Sequence, residues 1–215
     1  MLSALSYALS PPRPPPFLIT HYTIHTGAKA VIFAASASKK GGSAEKVDFI
    51  GVENVARECV RLKIPRLVVI SSGAITRPDS LGFKITNLFG NIMNYKLQGE
   101  DALRSTYEEA NLGSSCSYAI IRPGGLLDGT ASGAAGIELN QGDTISGEVN
   151  RADVAECAVN AAVSNTLPAS VTFEMYKASS GGPLEGKLPK KSGFEKLGSS
   201  YEELFKGLKS NYNRA

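Results

Sequence analysis

The sequence predicts an α/β fold built on a parallel sheet with helices on both faces, and three observations predict it. Four apolar runs of strand length recur along the chain: AVIFAA (30–35), RLVVISS (66–72), SYAIIRP (117–123) and SVTFEMY (170–176). Helical patterns separate them, as crossover units between parallel strands require. The 215 residues, 42% hydrophobic and 20% charged, suit one domain with a sizeable core.

The elements follow in order. SPPRPPP (10–16) cannot continue a helix or a central strand, because proline lacks an amide donor and fixes φ, so an extended tether is expected. FLITHYTIH (17–25) has the β-branched and aromatic content of a strand and fits either an edge strand or an unfolded leader. After AVIFAA, the stretch 47–62 carries Val47, Ile50, Val55, Cys59 and Leu62 at helical spacing, and Pro65 stops that helix. The strand RLVVISS leads through a polar connection to a helix from about Asn91 to Ala110, where Ile92, Tyr95, Leu103 and Tyr107 share a face less regularly. SYAIIRP is followed by a long Gly-rich connection, 124–147. NRADVAECAVNAAV (150–163) is expected as a helix with Asn150 as its cap and Asp153 in its first turn. After SVTFEMY, the polar stretch 190–200 reads as a connection and YEELFKGLKS (201–210) as an amphipathic helix. The expected division is a leader, 1–29, and one domain, 30–215.

Composition narrows the function classes. The net charge of +3 is spread along the chain, so no nucleic-acid face is expected. No apolar run reaches the ~18 residues that span a bilayer, and a soluble protein is expected. Cys59, Cys116 and Cys157 form no C-x-x-C pair and are odd in number, which predicts reduced thiols in an intracellular compartment. The first 44 residues contain serines and basic residues but no acid, a trait of organellar transit peptides that leaves a plastid or mitochondrial address open beside a cytoplasmic one.

In open parallel sheets, ligands bind outside the carboxyl ends of the strands. Those ends here are Ala34, Ala35 and Ser36; Ser71, Ser72 and Gly73; and Arg122, Pro123, Gly124 and Gly125. Small and hydroxyl-bearing residues let backbone approach a ligand closely. They also suit tight turns, but three such ends together favour a cleft. Lys96, on the helix after the second strand, would donate to ribose hydroxyls or a carbonyl if it points into that cleft, and is otherwise a solvated lysine. GTASGAAG (129–136) imitates a phosphate loop but does not follow a strand. His21 and His25 lack a clear third ligand, so no metal site is expected, and without G-x-S-x-G no serine hydrolase is either.

The stretches AVIFAASASKKGG, KVDFIGVENVARECVRLKIPRLVVISSGAITRP, GNIMNYKLQGEDALR, YAIIRPGGLLDG, NRADVAECAV and TFEMY together resemble an atypical short-chain dehydrogenase/reductase of the small, NmrA-like kind. The resemblance covers 30–176 and implies a Rossmann-like doubly wound sheet binding NAD(P), with NADP favoured. It implies that Ala34, Ala35 and Ser36 border the cofactor and that Ser71 and Ser72 lie beside the nicotinamide. Lys96 would bond the nicotinamide ribose, and Arg122, Pro123, Gly124, Gly125 and Leu126 would pack along the nicotinamide. Lys96 and Ser72 are the residues implied for catalysis; the RADVA beginning at Arg151 would be structural and cleft-lining, with Asp153 at a helix start.

Two departures stand out. Typical members carry a tyrosine four residues before the lysine; here that position is Ile92, and Tyr95 adjoins Lys96 on a different helix face. They also carry G-x-x-G-x-x-G on a first strand-to-helix turn ahead of the strand matching AVIFAA. One βαβ unit takes about 30 residues, and the 29 that precede Ala30 include several prolines. The first βαβ unit with its pyrophosphate loop is therefore expected to be missing, with weak nucleotide binding and an open sheet flank that invites self-association or a partner chain. Two functions follow: an NAD(P)-binding oxidoreductase of unidentified small-molecule substrate, or a non-catalytic scaffold or interaction subunit on a degenerate version of the fold.

Overall fold

A computed structural model describes residues 24–25, 27–38, 41–88, 90–178, 180, 182–183 and 197–210. The SPPRPPP tether, most of FLITHYTIH and much of the stretch 190–200 lie outside the described residues. Among the described residues the chain forms, in order, β1 (Val31–Phe33), α1 (Val52–Arg61), β2 (Arg66–Ile70), α2 (Leu81–Asn87), α3 (Ile92–Ala110), β3 (Ser117–Pro123), β4 (Gly125–Leu127), β5 (Ile137–Asn140), β6 (Ile145–Ser146), β7 (Glu148–Asn150), α4 (Arg151–Val163), β8 (Val171–Lys177), β9 (Gly182–Pro183) and α5 (Tyr201–Lys206).

The main sheet has the order β1-β2-β3-β8-β5. Its first four strands run parallel, as the alternating pattern predicts, and β5 closes the far edge antiparallel to β8. The Gly-rich connection 124–147 is thus not a bare loop: it contains β4, β5 and β6, and it contributes to small pairings with β7 and β9. These strands are two to four residues long, too short for a periodic signal. The helix α2 is a second addition, started by Ser80, whose hydroxyl accepts from the Phe83 amide at 3.2 Å.

Alternation along each strand divides the core into two faces. On one, Val68, Ala119, Ile121, Val171, Phe173 and Met175 pack against α4 and α5. On the other, Leu67, Val69, Tyr118 and Ile120 pack against α1 and α3. Beyond α3 that second face turns polar, with Arg122 of β3 and Thr172 and Glu174 of β8, all buried. The tail helix is shorter than its pattern suggests, yet Leu204 and Phe205 are completely enclosed, so it belongs to the core.

Helix α1 is preceded by a π-helical stretch, Glu45–Gly51, so the helix expected over 47–62 begins in a wider form. Helix α3 crosses this stretch at Gly99, where a Cβ would stand 2.2 Å from the Asp48 carbonyl oxygen. Only glycine permits that approach. Asn150 precedes α4 as expected but makes no side-chain cap; its amide donates to the Thr130 carbonyl at 2.8 Å. The three cysteines are free and buried, and burial pushes the Cys59 thiol up to about 12. No helix among the described residues is long and apolar enough to cross a membrane, and no group of His, Cys, Asp and Glu among them could hold a metal ion.

Candidate functional site

The parallel strands continue to hydrogen-bond one another past their ends, which builds a floor of backbone. Ser71 N donates to Ile121 O and Gly73 N to Pro123 O, both at 2.7 Å, and Gly124 N donates to Met175 O at 3.0 Å. Above this floor lies a cleft of about 550 Å³. Ser71, Ser72, Gly73, Pro123, Gly124, Gly125 and Leu126, seven of the residues expected at the site or at a strand end, line it together. Gly124 has no room for a side chain: a Cβ would meet Gly147 O at 2.2 Å and the Tyr176 ring at 2.7 Å.

The walls come from residues that single-strand reasoning does not find. Tyr176 of β8 is buried and donates to Ile145 O at 2.9 Å. Arg77, on the connection after β2, pairs with Asp143 at 3.1 Å and donates to Ile145 O at 3.1 Å. Asp143 in turn accepts from the Ala74 amide at 2.9 Å and from the Thr76 hydroxyl at 2.8 Å, fixing the loop that borders the cleft. Arg151, the first residue of α4, also lines the cleft and pairs with Asp128 at 2.7 Å. Asp153 stands in the first turn of α4 as expected, fully buried, and accepts from the amides of Ser132 and Gly133, so it also tethers that loop.

Lys96 does not line this cleft. Its ammonium pairs with Asp48 at 2.7 Å, and its side chain is 12% exposed. Asp48 also accepts from the Ser36 hydroxyl at 2.7 Å and the Ala37 amide at 2.9 Å, joining the end of β1 to α3. A narrow cavity is lined by Phe33, Asp48, Ser71, Lys96 and Glu100, and Ser71 also lines the larger cleft. Ala34, Ala35 and Ser36 are exposed at the end of β1 and do not line the 550 Å³ cleft. Tyr95 lines neither space.

Arg122 is placed differently from the expectation that it packs along the nicotinamide. Alternation turns it to the opposite side of β3 from Pro123, away from the cleft. Its guanidinium meets Glu100 through Nε at 3.0 Å and Nη2 at 2.6 Å, and Glu174 through Nη1 at 3.2 Å. Burial disfavours the ionised form of Glu100, but the charges of Arg122 and Arg104 outweigh it and hold the carboxyl at about 2. Burial prevails at Glu174, which is pushed up to about 7 although Arg122 opposes the shift. Arg122 and Glu174 face a second cleft of about 640 Å³ on the outer side of α3.

Residues 23–165 match the family model described as NAD(P)H-binding. The chain belongs to this NAD(P)H-binding family. It is 32% identical over 125 residues to Uncharacterized protein At2g34460, chloroplastic, of Arabidopsis thaliana, a match spanning 54% of this chain and 40% of that protein. Among solved structures it is similar to the oxidoreductase ylbE from Lactococcus lactis, with a TM-score of 0.55 at 19% identity over 71% of this chain and 63% of the other. It is also similar to ChuY, an anaerobillin reductase from Escherichia coli O157:H7, with a TM-score of 0.51 at 23% identity over 69% and 64%. At such identities the structural likeness shows the fold alone, a Rossmann-like sheet. The chain spans less than two thirds of the length of each of these relatives. For a member of the NAD(P)H-binding family, the 550 Å³ cleft lies where open α/β sheets bind their ligands, outside the carboxyl ends of the central strands.

Proposed function

We propose that the chain acts as an NAD(P)-dependent oxidoreductase whose 550 Å³ cleft receives the nicotinamide end of the cofactor together with a small-molecule substrate. One observation carries the reading: the floor at the ends of β2 and β3 is backbone, with Gly73, Gly124 and Gly125 on the surface and no room for a side chain at Gly124. A flat ring packs against such a surface. NAD(P)H supplies a hydride when bound.

The remaining work falls to side chains. Ser72 donates to Gly73 O at 3.1 Å and is placed to turn its hydroxyl toward a substrate carbonyl. Lys96, which lines a narrow cavity together with Ser71, would offer its ammonium donors to the nicotinamide ribose. Ile92 occupies the position of the usual tyrosine, so the protein works without that proton donor. NADPH is the cofactor favoured by the family resemblance, and the chloroplastic relative together with the acid-free start supports a plastid address.

Titration of the purified chain with NADPH and NADH, following melting temperature and nicotinamide fluorescence, tests the proposal. A saturable rise in both supports it. A folded protein that shows neither supports a second reading, an interaction subunit. One observation favours that alternative: among the described residues β1 is a terminal strand of the sheet, Ile32 on it is 41% exposed, and Val159 and Val163 of the neighbouring α4 are 55% and 72% exposed. Sedimentation of the same sample would then show a dimer or larger species.

A further inference from the structure

Lys96 stands near the start of α3, and one carboxylate holds its ammonium. Asp48 is 1% exposed. Taking a carboxylate and an ammonium out of water costs several kcal/mol per ion unless they meet in good geometry with further hydrogen bonds. Asp48 meets that condition: Oδ1 faces Lys96 and the Ser36 hydroxyl, both at 2.7 Å, and Oδ2 accepts from the Ala37 amide at 2.9 Å. An ammonium carries three donors, so the pairing leaves two for other acceptors.

The backbone is shaped around this contact. Asp48 lies within the π-helical stretch Glu45–Gly51, a form that is rare and concentrated at functional sites. Three residues after Lys96, Gly99 lets α3 touch the Asp48 carbonyl oxygen, which brings the two side chains within reach. The narrow cavity beside them is lined also by Ser71, which lines the large cleft as well. Ser36 and Ala37, held by the same carboxylate, stand at the end of β1.

We propose that Asp48 is the positioning residue of the nucleotide site: one buried carboxylate holds both the turn after β1 and the Lys96 ammonium, so that the two remaining Lys96 donors face a ribose diol. The proposal rests on the oxidoreductase reading given above. Asp48 touches neither cofactor nor substrate in this scheme; it acts through Lys96.

The first test needs no nucleotide. Acetylation by an N-hydroxysuccinimide ester, read by peptide mass spectrometry on the 215-residue chain, measures access to Lys96. In Asp48→Asn, which keeps the size and an acceptor for Ser36, Lys96 should react about tenfold faster because a charge-assisted bond is lost. Lys84, exposed on α2, should keep its rate. Equal rates at Lys96 in both proteins would overturn the proposal. The second test is NADPH affinity: Asp48→Asn should bind about tenfold more weakly, while Asp48→Asn with Lys96→Met should bind no more weakly than Lys96→Met alone. Additive losses would show Asp48 acting on the fold instead of through Lys96 and would overturn the proposal. If the acetylation contrast appears but wild-type protein takes up no nucleotide, the hold of Asp48 on Lys96 stands, and the ribose half of the proposal falls with the oxidoreductase reading.

Discussion

Arg122 and Glu100 meet as a side-on pair inside the protein, Nε to Oε1 at 3.0 Å and Nη2 to Oε2 at 2.6 Å, with 6% and 1% of their side chains exposed. The parallel register sets Glu174 directly beside Arg122 on the next strand, so one guanidinium serves two buried carboxylates. Replacing Arg122 by methionine would take from Glu174 its ion pair and leave Glu100 with Arg104 alone, at a cost of roughly 3–5 kcal/mol in unfolding free energy. Urea denaturation measures this. A loss below about 1 kcal/mol would mean that water reaches the site and solvates the carboxylates.

Stability should depend on pH in two opposed windows. Glu174 is pushed by burial from an ordinary 4.5 up to about 7. Between those values the folded chain keeps a proton that the unfolded chain has released, so stability falls as pH rises through the window, by up to roughly 3 kcal/mol. Glu100, held at about 2 despite its burial, contributes in the other sense: its stabilisation is complete above 4.5 and is lost as pH falls toward 2. Thermal melts of Glu174→Gln should show a flatter decline between pH 5 and 7 than wild type, with the acid limb unchanged. An identical decline in both would place the titrating group elsewhere.

Gly99→Ala should open the contact between α3 and the π-helical stretch. Its Cβ would stand 2.2 Å from the Asp48 carbonyl oxygen, a backbone atom that cannot swing aside. Overpacking of this kind costs about 1–3 kcal/mol or more. The melting temperature should drop, and Lys96 should become as reactive toward acylation as in Asp48→Asn.

Leu204→Ala tests whether the tail helix is part of the domain. Leu204 is completely buried in the cluster with Phe173 and Phe205. Truncation there should cost about 2–5 kcal/mol, whereas a merely appended helix would lose almost nothing.

The strands β2, β3 and β8 and the helices α1, α3 and α4 were legible because each is long enough to show its pattern, and β1, three residues in the structure, was legible from the six-residue apolar run 30–35 around it. The pieces β4, β5 and β6 were not, because strands of two to four residues carry no pattern and are held by partners distant in the chain. The cleft-lining Ser72, Gly124 and Gly125 were legible as strand ends. Asp48 was not, since an acid inside an amphipathic run reads as a solvated position until Gly99 brings α3 against it. Arg122 was assigned to the nicotinamide with its neighbours, but strand alternation sends adjacent side chains to opposite faces, and its partners Glu100 and Glu174 are set by helix packing and register.

The central claim is that the 550 Å³ cleft at the ends of β2 and β3 receives the nicotinamide end of the cofactor. Amide NMR of the 215-residue chain during an NADPH titration tests it most directly, because it detects weak binding and locates it. The claim predicts saturable shifts at Ser71, Ser72, Gly73, Gly124 and Gly125, with Ser105 and Glu108 beside the other cleft unmoved. A folded spectrum in which the cleft amides stay still at saturating NADPH, or in which only the far cleft responds, would contradict it.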